Sequence, residues 1–223
     1  MLHRDFVIYP ESDGEPTGET GLHVEAAMQM LSALGRALRH KKDVCVGGNQ
    51  FMYFREGDPK QVVCPDAYAA FDTDPTPRRT WKVWEEAGKF PDLVVEIVSE
   101  SSRLSDDRMK RGLYEALGVR EYYLFDPERL GPGPALWGYE RRGNRLLPMT
   151  AKRLPGGEVR LRSRMLGHWV ESNGVRLRLR NARTGAPVLH MDELADAHER
   201  DAAEVARLRK LLPRLPRPAR RPK

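Results

Sequence analysis

Two acids and one lysine have residue types and settings that could support metal-assisted chemistry. Asp66 follows the run Gln61–Pro65, Glu96 lies inside the apolar run Asp92–Val98, and Lys110 follows in a helix-like segment. Carboxylate oxygens are ligands that Mg²⁺ prefers, and a nearby ammonium can orient or deprotonate water or offset charge on a phosphate. Hydrolysis of a phosphodiester by a metal-activated water needs such a set.

Glu96 gives the strongest of these three signals. Side chains of a strand alternate between two faces, and from Leu93 to Val98 both faces are apolar apart from this one acid. A carboxylate buried in such a strand loses hydration free energy on the order of several kcal/mol, unless a cation or hydrogen-bond donors compensate the loss. The pattern therefore predicts a partnered carboxylate, and a purely structural ion pair is the alternative.

Lys110 and Asp66 give weaker signals when each is taken alone. Lys110 shares a helical face with Leu113, Tyr114 and Leu117, at spacings of three, four and seven residues. Its ammonium could reach buried carboxylates or simply extend to solvent, as lysines commonly do. Asp66 is predicted to end the strand run before it, where an aspartate after proline is otherwise typical of a turn or cap.

The net charge of +6 is distributed unevenly along the chain. Residues 1–138 carry 17 basic and 23 acidic residues, a net charge of −6. Residues 139–183 carry 12 basic and 3 acidic residues, a net charge of +9, and residues 207–223 carry eight basic residues and no acids. An acidic first part next to a basic second part suits a metal site beside a polyanion-binding surface, although a solvated basic strand face explains the second part equally well.

Hydrophobic periodicity predicts the order of the elements. An amphipathic helix is expected from Leu22 to Arg39, and a second helix is expected to begin at Ser105 and to end at Gly118. Strand-like segments follow at Val44–Val46, Gln50–Phe54, Gln61–Cys64, Asp92–Val98 and Glu121–Phe125. Several short antiparallel strands are expected between residues 136 and 189, and a third, charged helix is expected over Asp192–Leu212.

These elements predict an α/β (α+β) protein with a restriction-endonuclease-like mixed sheet flanked by helices, additional antiparallel strands and a C-terminal helix. The predicted organisation is a domain over 1–190, a charged helix over 191–212 and a disordered basic, proline-rich tail over 213–223. No apolar run is long enough to span a membrane and the N-terminus lacks the layout of a signal peptide, so a cytoplasmic protein with reduced Cys45 and Cys64 is expected.

Several stretches together resemble a known family. They are LHVEAAM from Leu22, VGGN at Val46–Asn49, VVCPD at Val62–Asp66 and, most specifically, PDLVVEIVSESSRLSDDRMKRGLYEALGVREYYLFDP at Pro91–Pro127. The sequence is similar in these stretches to the Uma2 family of restriction-endonuclease-like proteins, a small bacterial branch of the PD-(D/E)XK nuclease superfamily. The resemblance covers most of the chain.

The resemblance implies roles for particular residues. Asp66 and Glu96 are implied as metal-binding acids, Lys110 as the catalytic lysine, and His23 and Glu25 as auxiliary residues of the first helix. In the superfamily the lysine usually lies two residues after the acid, but Val98 occupies that position here, so the lysine of this branch is expected on the following helix. The implied activity is Mg²⁺-dependent endonucleolytic hydrolysis of DNA, with Mn²⁺ as an alternative ion.

Other functions remain open at the level of the sequence. A non-catalytic nucleic-acid-binding or structural module that keeps the nuclease fold is the main alternative, and RNA in place of DNA is another. The helix Asp192–Leu212 could pair with its counterpart in a homodimer, or it could pack on its own domain.

Overall fold

The computed structural model describes residues 7–12, 19–99, 105–131, 133–155 and 159–211. Contacts within the chain divide it into two compact units, residues 1–188 and residues 189–223. The described residues of the first unit contain helices α1 (Gly21–Leu38) and α2 (Ser105–Ala116) and the strands of three sheets. The predicted tail over 213–223 lies outside the described residues.

The largest sheet has six strands. In spatial order they are β1 (Val44–Gly47), β4 (Ala67–Phe71), β6 (Leu93–Ile97), β7 (Glu121–Phe125), β8 (Leu136–Arg142) and β9 (Arg145–Pro148). Within this sheet β6 and β7 are the one parallel pair among the described strands, and α2 connects them, as a parallel pair requires a crossover. The expected mixed sheet flanked by helices is therefore confirmed.

Two smaller sheets complete the first unit. One is a four-stranded antiparallel sheet of β10 (Lys152–Arg153), β11 (Val159–Ser163), β12 (His168–Ser172) and β13 (Leu177–Asn181), paired in chain order. The other consists of β3 (Val62–Val63), β2 (Met52–Tyr53) and β5 (Trp81–Lys82). The four-stranded sheet corresponds to the expected short antiparallel strands.

Strand β6 lies in the centre of the core, with apolar clusters on both of its faces. Leu93, Val95 and Ile97 belong to a cluster that includes α1 and the inner side of the four-stranded sheet. Val94 and Val98 belong to a second cluster with aromatic side chains from α2 and β7. The expectation that Glu96 is an acid in a doubly buried strand is confirmed.

Helix α1 forms because apolar residues recur at helical spacing and Thr20 caps its first turn. The hydroxyl of Thr20 accepts a hydrogen bond from the backbone N–H of His23 at 3.3 Å. The buried stripe of the helix packs on the six-stranded sheet, and it consists of Ala26, Met30, Ala33, Leu34 and Leu38. His23 is buried at the N-terminal end of that stripe.

The sequence pattern gave the wrong setting for Asp66, which precedes a strand rather than ending one. The predicted strand Gln61–Cys64 is reduced to β3, and Asp66 stands directly before β4. All five residues of β4 are buried, so the strand lacks the polar alternation by which a half-buried strand is recognised. This unpredicted strand is the neighbour of β6 and positions Asp66.

The second unit contains the third helix, α3 (Met191–Leu211). Asp192 and Glu193 lie in its first turn and Arg209 and Lys210 in its last turn, which favours the helix because each charge complements the nearby end of the helix dipole. The helix agrees with the predicted Asp192–Leu212 to within one residue at each end. The domain boundaries over 1–190, 191–212 and 213–223 stay a prediction.

No helix among the described residues is long and apolar enough to cross a membrane.

Candidate metal and catalytic site

The pairing of β4 with β6 brings Asp66 beside Glu96. Ala67 pairs with Val95 in an antiparallel register, so Asp66, one residue before Ala67, lies opposite Glu96, one residue after Val95. The backbone N–H of Ile97 donates a hydrogen bond to Oδ2 of Asp66 at 2.7 Å, which fixes this carboxylate at the end of β6. Asp66, directly before β4, therefore lies opposite Glu96 in the adjacent strand β6.

Helix α2 supplies two side-chain partners of Glu96. Lys110 Nζ donates to Oε2 of the carboxylate at 3.1 Å, and the hydroxyl of Tyr114 donates to Oε1. Lysine and tyrosine are four residues apart, so they lie one above the other on the helix face that packs on the sheet. The ammonium thus reaches the site, while the lysine side chain keeps 29% of its surface exposed.

Burial dominates the electrostatics of Glu96, which is only 3% exposed. Desolvation raises the pKa of this carboxyl from its usual 4.5 to about 7; the positive charge of Lys110 opposes the shift, and the negative charge of Asp66 adds to it. Protonated and ionised forms therefore coexist near neutral pH. A divalent cation would favour the ionised form, because it replaces the hydration that the carboxylate has lost.

His23 lies between two acids at the start of α1. Its Nδ1 is 2.8 Å from Oε2 of Glu19, and its Nε2 is 3.5 Å from Oδ1 of Asp66. Hydrogen bonding to Asp66 is the largest influence on the imidazole and raises its pKa from 6.5 to about 8; burial acts in the opposite direction, and the charges of both acids assist. The ring is therefore mostly protonated at neutral pH and contacts Asp66 as a cation.

Glu19 was not found from the sequence. Ligand atoms of Glu19, His23 and Asp66 all lie within 4.8 Å of one another, a spacing at which they could share a metal ion. Glu19 precedes the helix cap in a segment that reads as an irregular lead-in. The only available signal was its position four residues before His23, and that spacing carries weight only once the helix start is known.

Glu25 does not join this group. Its carboxylate accepts a hydrogen bond from Nε2 of Gln29 at 2.7 Å and lies 3.3 Å from a guanidinium nitrogen of Arg176. Successive residues of a helix are about 100° apart, so two residues after His23 the side chain points to the far side of α1. The structure brings His23, Asp66, Glu96 and Lys110 together and leaves Glu25 outside.

Two glycines allow the segment Val46–Asn49 to lie against the chain that carries Asp66. A Cβ on Gly48 would overlap the carbonyl oxygen of Asp66, and a Cβ on Gly47 would overlap the ring and hydroxyl of Tyr68. The N–H of Asn49 donates to the carbonyl of Pro65 at 2.8 Å. The glycines of the VGGN stretch, which resembles the family's sequence, are thus required by close packing, because a larger residue at Gly48 would displace the backbone of Asp66.

The donor set fits a hard divalent cation. Glu19 and Asp66 offer carboxylate oxygens within 4.8 Å of each other, and Mg²⁺ needs only one or two carboxylates because it retains several waters. The imidazole contributes no ligand while it is protonated, and in that state it holds Asp66 in place. The ammonium of Lys110 lies 3.1 Å from Oε2 of Glu96 and partly balances the negative charge of the carboxylates.

A mixed sheet whose adjacent strands carry two acids, with a lysine directed at one of them, defines the class as nuclease-like. A model of the Uma2 family, described as "Putative restriction endonuclease", matches residues 8–170. The chain belongs to the Uma2 family.

The chain was also compared with solved structures and with curated proteins. The crystal structure of a "putative nuclease belonging to DUF820" from Anabaena variabilis ATCC 29413 is similar over 65% of this chain and 80% of that chain, with a TM-score of 0.44 and 14% sequence identity. No curated protein matches the sequence. Family membership supports a nuclease-like function, and the ion, the substrate and the roles of individual residues are the subject of the proposal below.

Proposed function

We propose that the protein is a Mg²⁺-dependent endonuclease that hydrolyses phosphodiester bonds of DNA, with Asp66, Glu96 and Lys110 as its catalytic residues. The convergence of two carboxylates and one ammonium at the ends of β4 and β6 carries the proposal. The contact of Lys110 with Glu96 at 3.1 Å supports a lysine that acts at the metal-binding acids.

Asp66 and Glu96 would hold the ion, with Glu19 as a further oxygen donor. A bound Mg²⁺ lowers the pKa of water and offsets negative charge on the phosphate that is attacked. Buried Glu96 gains a counterion in exchange for the hydration it lacks, which favours binding above the pH at which this carboxyl ionises. Mn²⁺ has the same ligand preference and is a suitable substitute.

The remaining residues orient these groups. Tyr114 donates to one oxygen of Glu96 and leaves the other to Lys110, so the carboxylate is held from two sides. Lys110 is in position to orient or deprotonate the attacking water or to neutralise the phosphate. Protonated His23 steadies Asp66 from α1, whereas Glu25 is oriented away from these groups.

Cleavage of plasmid DNA in Mg²⁺ and in EDTA tests the proposal. The variants Asp66→Asn, Glu96→Gln and Lys110→Met should each lose about 100-fold or more of the Mg²⁺-dependent rate, because each removes a charge that acts in the transition state. Lys42→Met, at an exposed lysine between α1 and β1, is the matched control and should cleave like the unmodified protein. Unchanged cleavage by both Glu96→Gln and Lys110→Met would exclude the assigned site.

Calorimetric titration with Mn²⁺ separates a nuclease from a non-catalytic module. The unmodified protein should bind at a defined site and Glu96→Gln should bind far more weakly. Glu19→Gln and Glu25→Gln form a matched pair of substitutions on either side of the start of α1, and we expect only the first to weaken binding, since Glu19 lies near Asp66 and Glu25 does not. The absence of site-specific binding to the unmodified protein would favour the non-catalytic module.

A further inference from the structure

The four-stranded sheet has one buried face and one basic face. Its inner side chains join the core and are Leu161, Val170, Leu177 and Leu179 among others. The side chains that alternate with them define the arginine face, which consists of Lys152, Arg160, Arg162, Trp169, Glu171, Arg178 and Arg180. This face carries five basic residues and one acid and takes no part in the candidate metal site.

The strand register arranges the arginine face in two rows. One row runs across all four strands and contains Lys152, Arg160, Glu171 and Arg178, and the other contains Arg162, Trp169 and Arg180. Lys152 and Arg160 stand on neighbouring strands, which are about 4.8 Å apart, whereas Glu171 separates Arg160 from Arg178 and Trp169 separates Arg162 from Arg180. The five positive groups of this face outnumber its single acid, and this excess of positive charge makes a polyanion a favourable partner.

Trp169 and Glu171 hold the guanidinium groups in place. The guanidinium carbons of Arg160 and Arg162, two residues of β11, lie 5.5 and 5.6 Å from the centre of the Trp169 ring. Nε of Arg180 donates to Oε2 of Glu171 at 2.9 Å. Arginines oriented in this way lose less side-chain entropy when they bind a phosphate than freely moving ones would.

Glu171 does not fully compensate the charge around it. Its Oε1 is buried without a hydrogen-bond partner and lies 3.7 Å from Nε of Arg160, which is likewise buried and unbonded. Near the same end of the face, a hollow of about 270 Å³ is lined by Arg176, Arg178 and Arg180 and by Glu171, Ser172 and Asn173. Guanidinium groups around such a hollow match the bidentate hydrogen bonding of a phosphate.

We propose that the arginine face is a second binding surface, which holds the phosphate backbone of duplex DNA apart from the metal site. The choice of DNA as the polyanion rests on the proposed function. The acids of the metal site repel phosphates until a cation is bound, so an anchoring surface of opposite sign would raise the occupancy of substrate at the protein. Backbone contacts of this kind position DNA without reading its sequence.

Salt-dependent binding tests this surface without any cleavage. Fluorescence anisotropy of a labelled duplex in EDTA is measured at several salt concentrations for the unmodified protein and for the double variant Arg162→Gln/Arg178→Gln. Each lost phosphate contact lowers the slope of log affinity against log salt by about 0.9 for duplex DNA, so the double variant should lose roughly 1.8. The affinity at low salt should fall at least about tenfold, on the scale of surface contacts to phosphate.

The control variant Lys42→Gln/Arg55→Gln removes two exposed charges outside the arginine face. It should bind with the slope of the unmodified protein. An equal loss in this control, or an unchanged slope in the double variant with an unchanged thermal midpoint, would overturn the proposal. Preferential binding of the unmodified protein to vesicles containing phosphatidylserine, or to single strands, would also overturn it.

Failure of this surface and failure of the proposed nuclease activity give different results. An unmodified protein that binds duplex DNA through the arginine face and never cleaves it refutes only the hydrolysis. A protein that cleaves in Mg²⁺ with the same salt dependence in the double variant refutes only the arginine face.

Discussion

The substitution Glu96→Gln should stabilise the metal-free protein, and it should do so increasingly as the pH rises. Glutamine has the shape of the protonated acid and carries no charge to desolvate. The amide oxygen can still accept the hydrogen bond from Tyr114, and Lys110, which is partly exposed, can turn to solvent. The variant therefore removes the electrostatic cost of ionising a carboxyl inside the core.

The size of the effect follows from the pKa of Glu96 in the two states. A raised folded-state pKa contributes stability that is fully present below the unfolded value of 4.5 and is lost as the pH rises through about 7. The difference between these pKa values corresponds to roughly 3 kcal/mol over the whole range. Between about pH 5 and about pH 8, the unmodified protein should lose on the order of 2.5 kcal/mol relative to the variant.

Urea denaturation in EDTA at these two pH values measures the difference. Contributions from other titrating groups, including His23, are largely shared by both proteins and cancel in the comparison. The exposed position Glu56 provides the matched control, and Glu56→Gln should change the free energy of unfolding by less than about 0.5 kcal/mol at either pH. Addition of Mg²⁺ at the higher pH should then stabilise only the protein with Glu96, because only that protein retains the full set of ligands.

A stability difference between Glu96→Gln and the unmodified protein that is the same at both pH values would refute the reasoning. It would mean that Lys110 and Tyr114 compensate the buried charge completely. If Glu96→Gln were less stable than the unmodified protein at the higher pH, the sign of the prediction would be wrong. The ion pair of Glu96 with Lys110 would then stabilise the fold by more than desolvation of the carboxylate destabilises it.

Three further predictions concern the residues around this carboxyl. NMR titration of the His23 imidazole should give a pKa of about 8, and Asp66→Asn should lower that pKa more than Glu19→Gln does, because Asp66 makes the larger contribution; equal shifts would contradict this order. Gly48→Ala should weaken Mn²⁺ binding by displacing the backbone of Asp66, whereas Gly112→Ala, a helix position with open space around it, should leave binding intact and stabilise the fold by about 0.4–1 kcal/mol. Tyr114→Phe should raise the pKa of Glu96 further and shift the acid limb of the pH–rate profile upward, since the lost hydrogen bond favoured the ionised form; an unshifted limb would count against this role.

Much of the candidate site could be predicted because its residues break strong local patterns. Glu96 is the one acid in a run of buried apolar residues, and Lys110 is the one ammonium on an apolar helix face. Such exceptions stand out in a single sequence, since burial of a charge is costly and therefore rare. The strand–helix–strand order of Asp92–Phe125 was also predictable, and it is the order that a parallel pair such as β6 and β7 requires.

The missed parts depend on contacts between distant segments. Strand β4 is buried along its whole length and lacks any alternation, so only its pairing with β1 and β6 identifies it. Glu19 becomes a neighbour of Asp66 only when α1 packs across the sheet, 47 positions away in the chain. The resemblance implied Glu25 together with His23, although the turn of the helix between the two residues directs their side chains to different sides of α1.

The helix-borne lysine follows from how α2 crosses the sheet. Side chains two residues apart in a strand share a face, so Val98 lies on the same side of β6 as Glu96, where it packs in an apolar cluster. Tyr114 joins that cluster and anchors α2 over the same face, and Lys110 lies one turn earlier on the helix. The carboxylate thus receives its ammonium from the layer above the strand rather than from the strand itself. A lysine at Val98 would have to be buried among apolar side chains, whereas Lys110 keeps its stem partly exposed and only its head at the acid, which lowers the cost of holding a positive charge there.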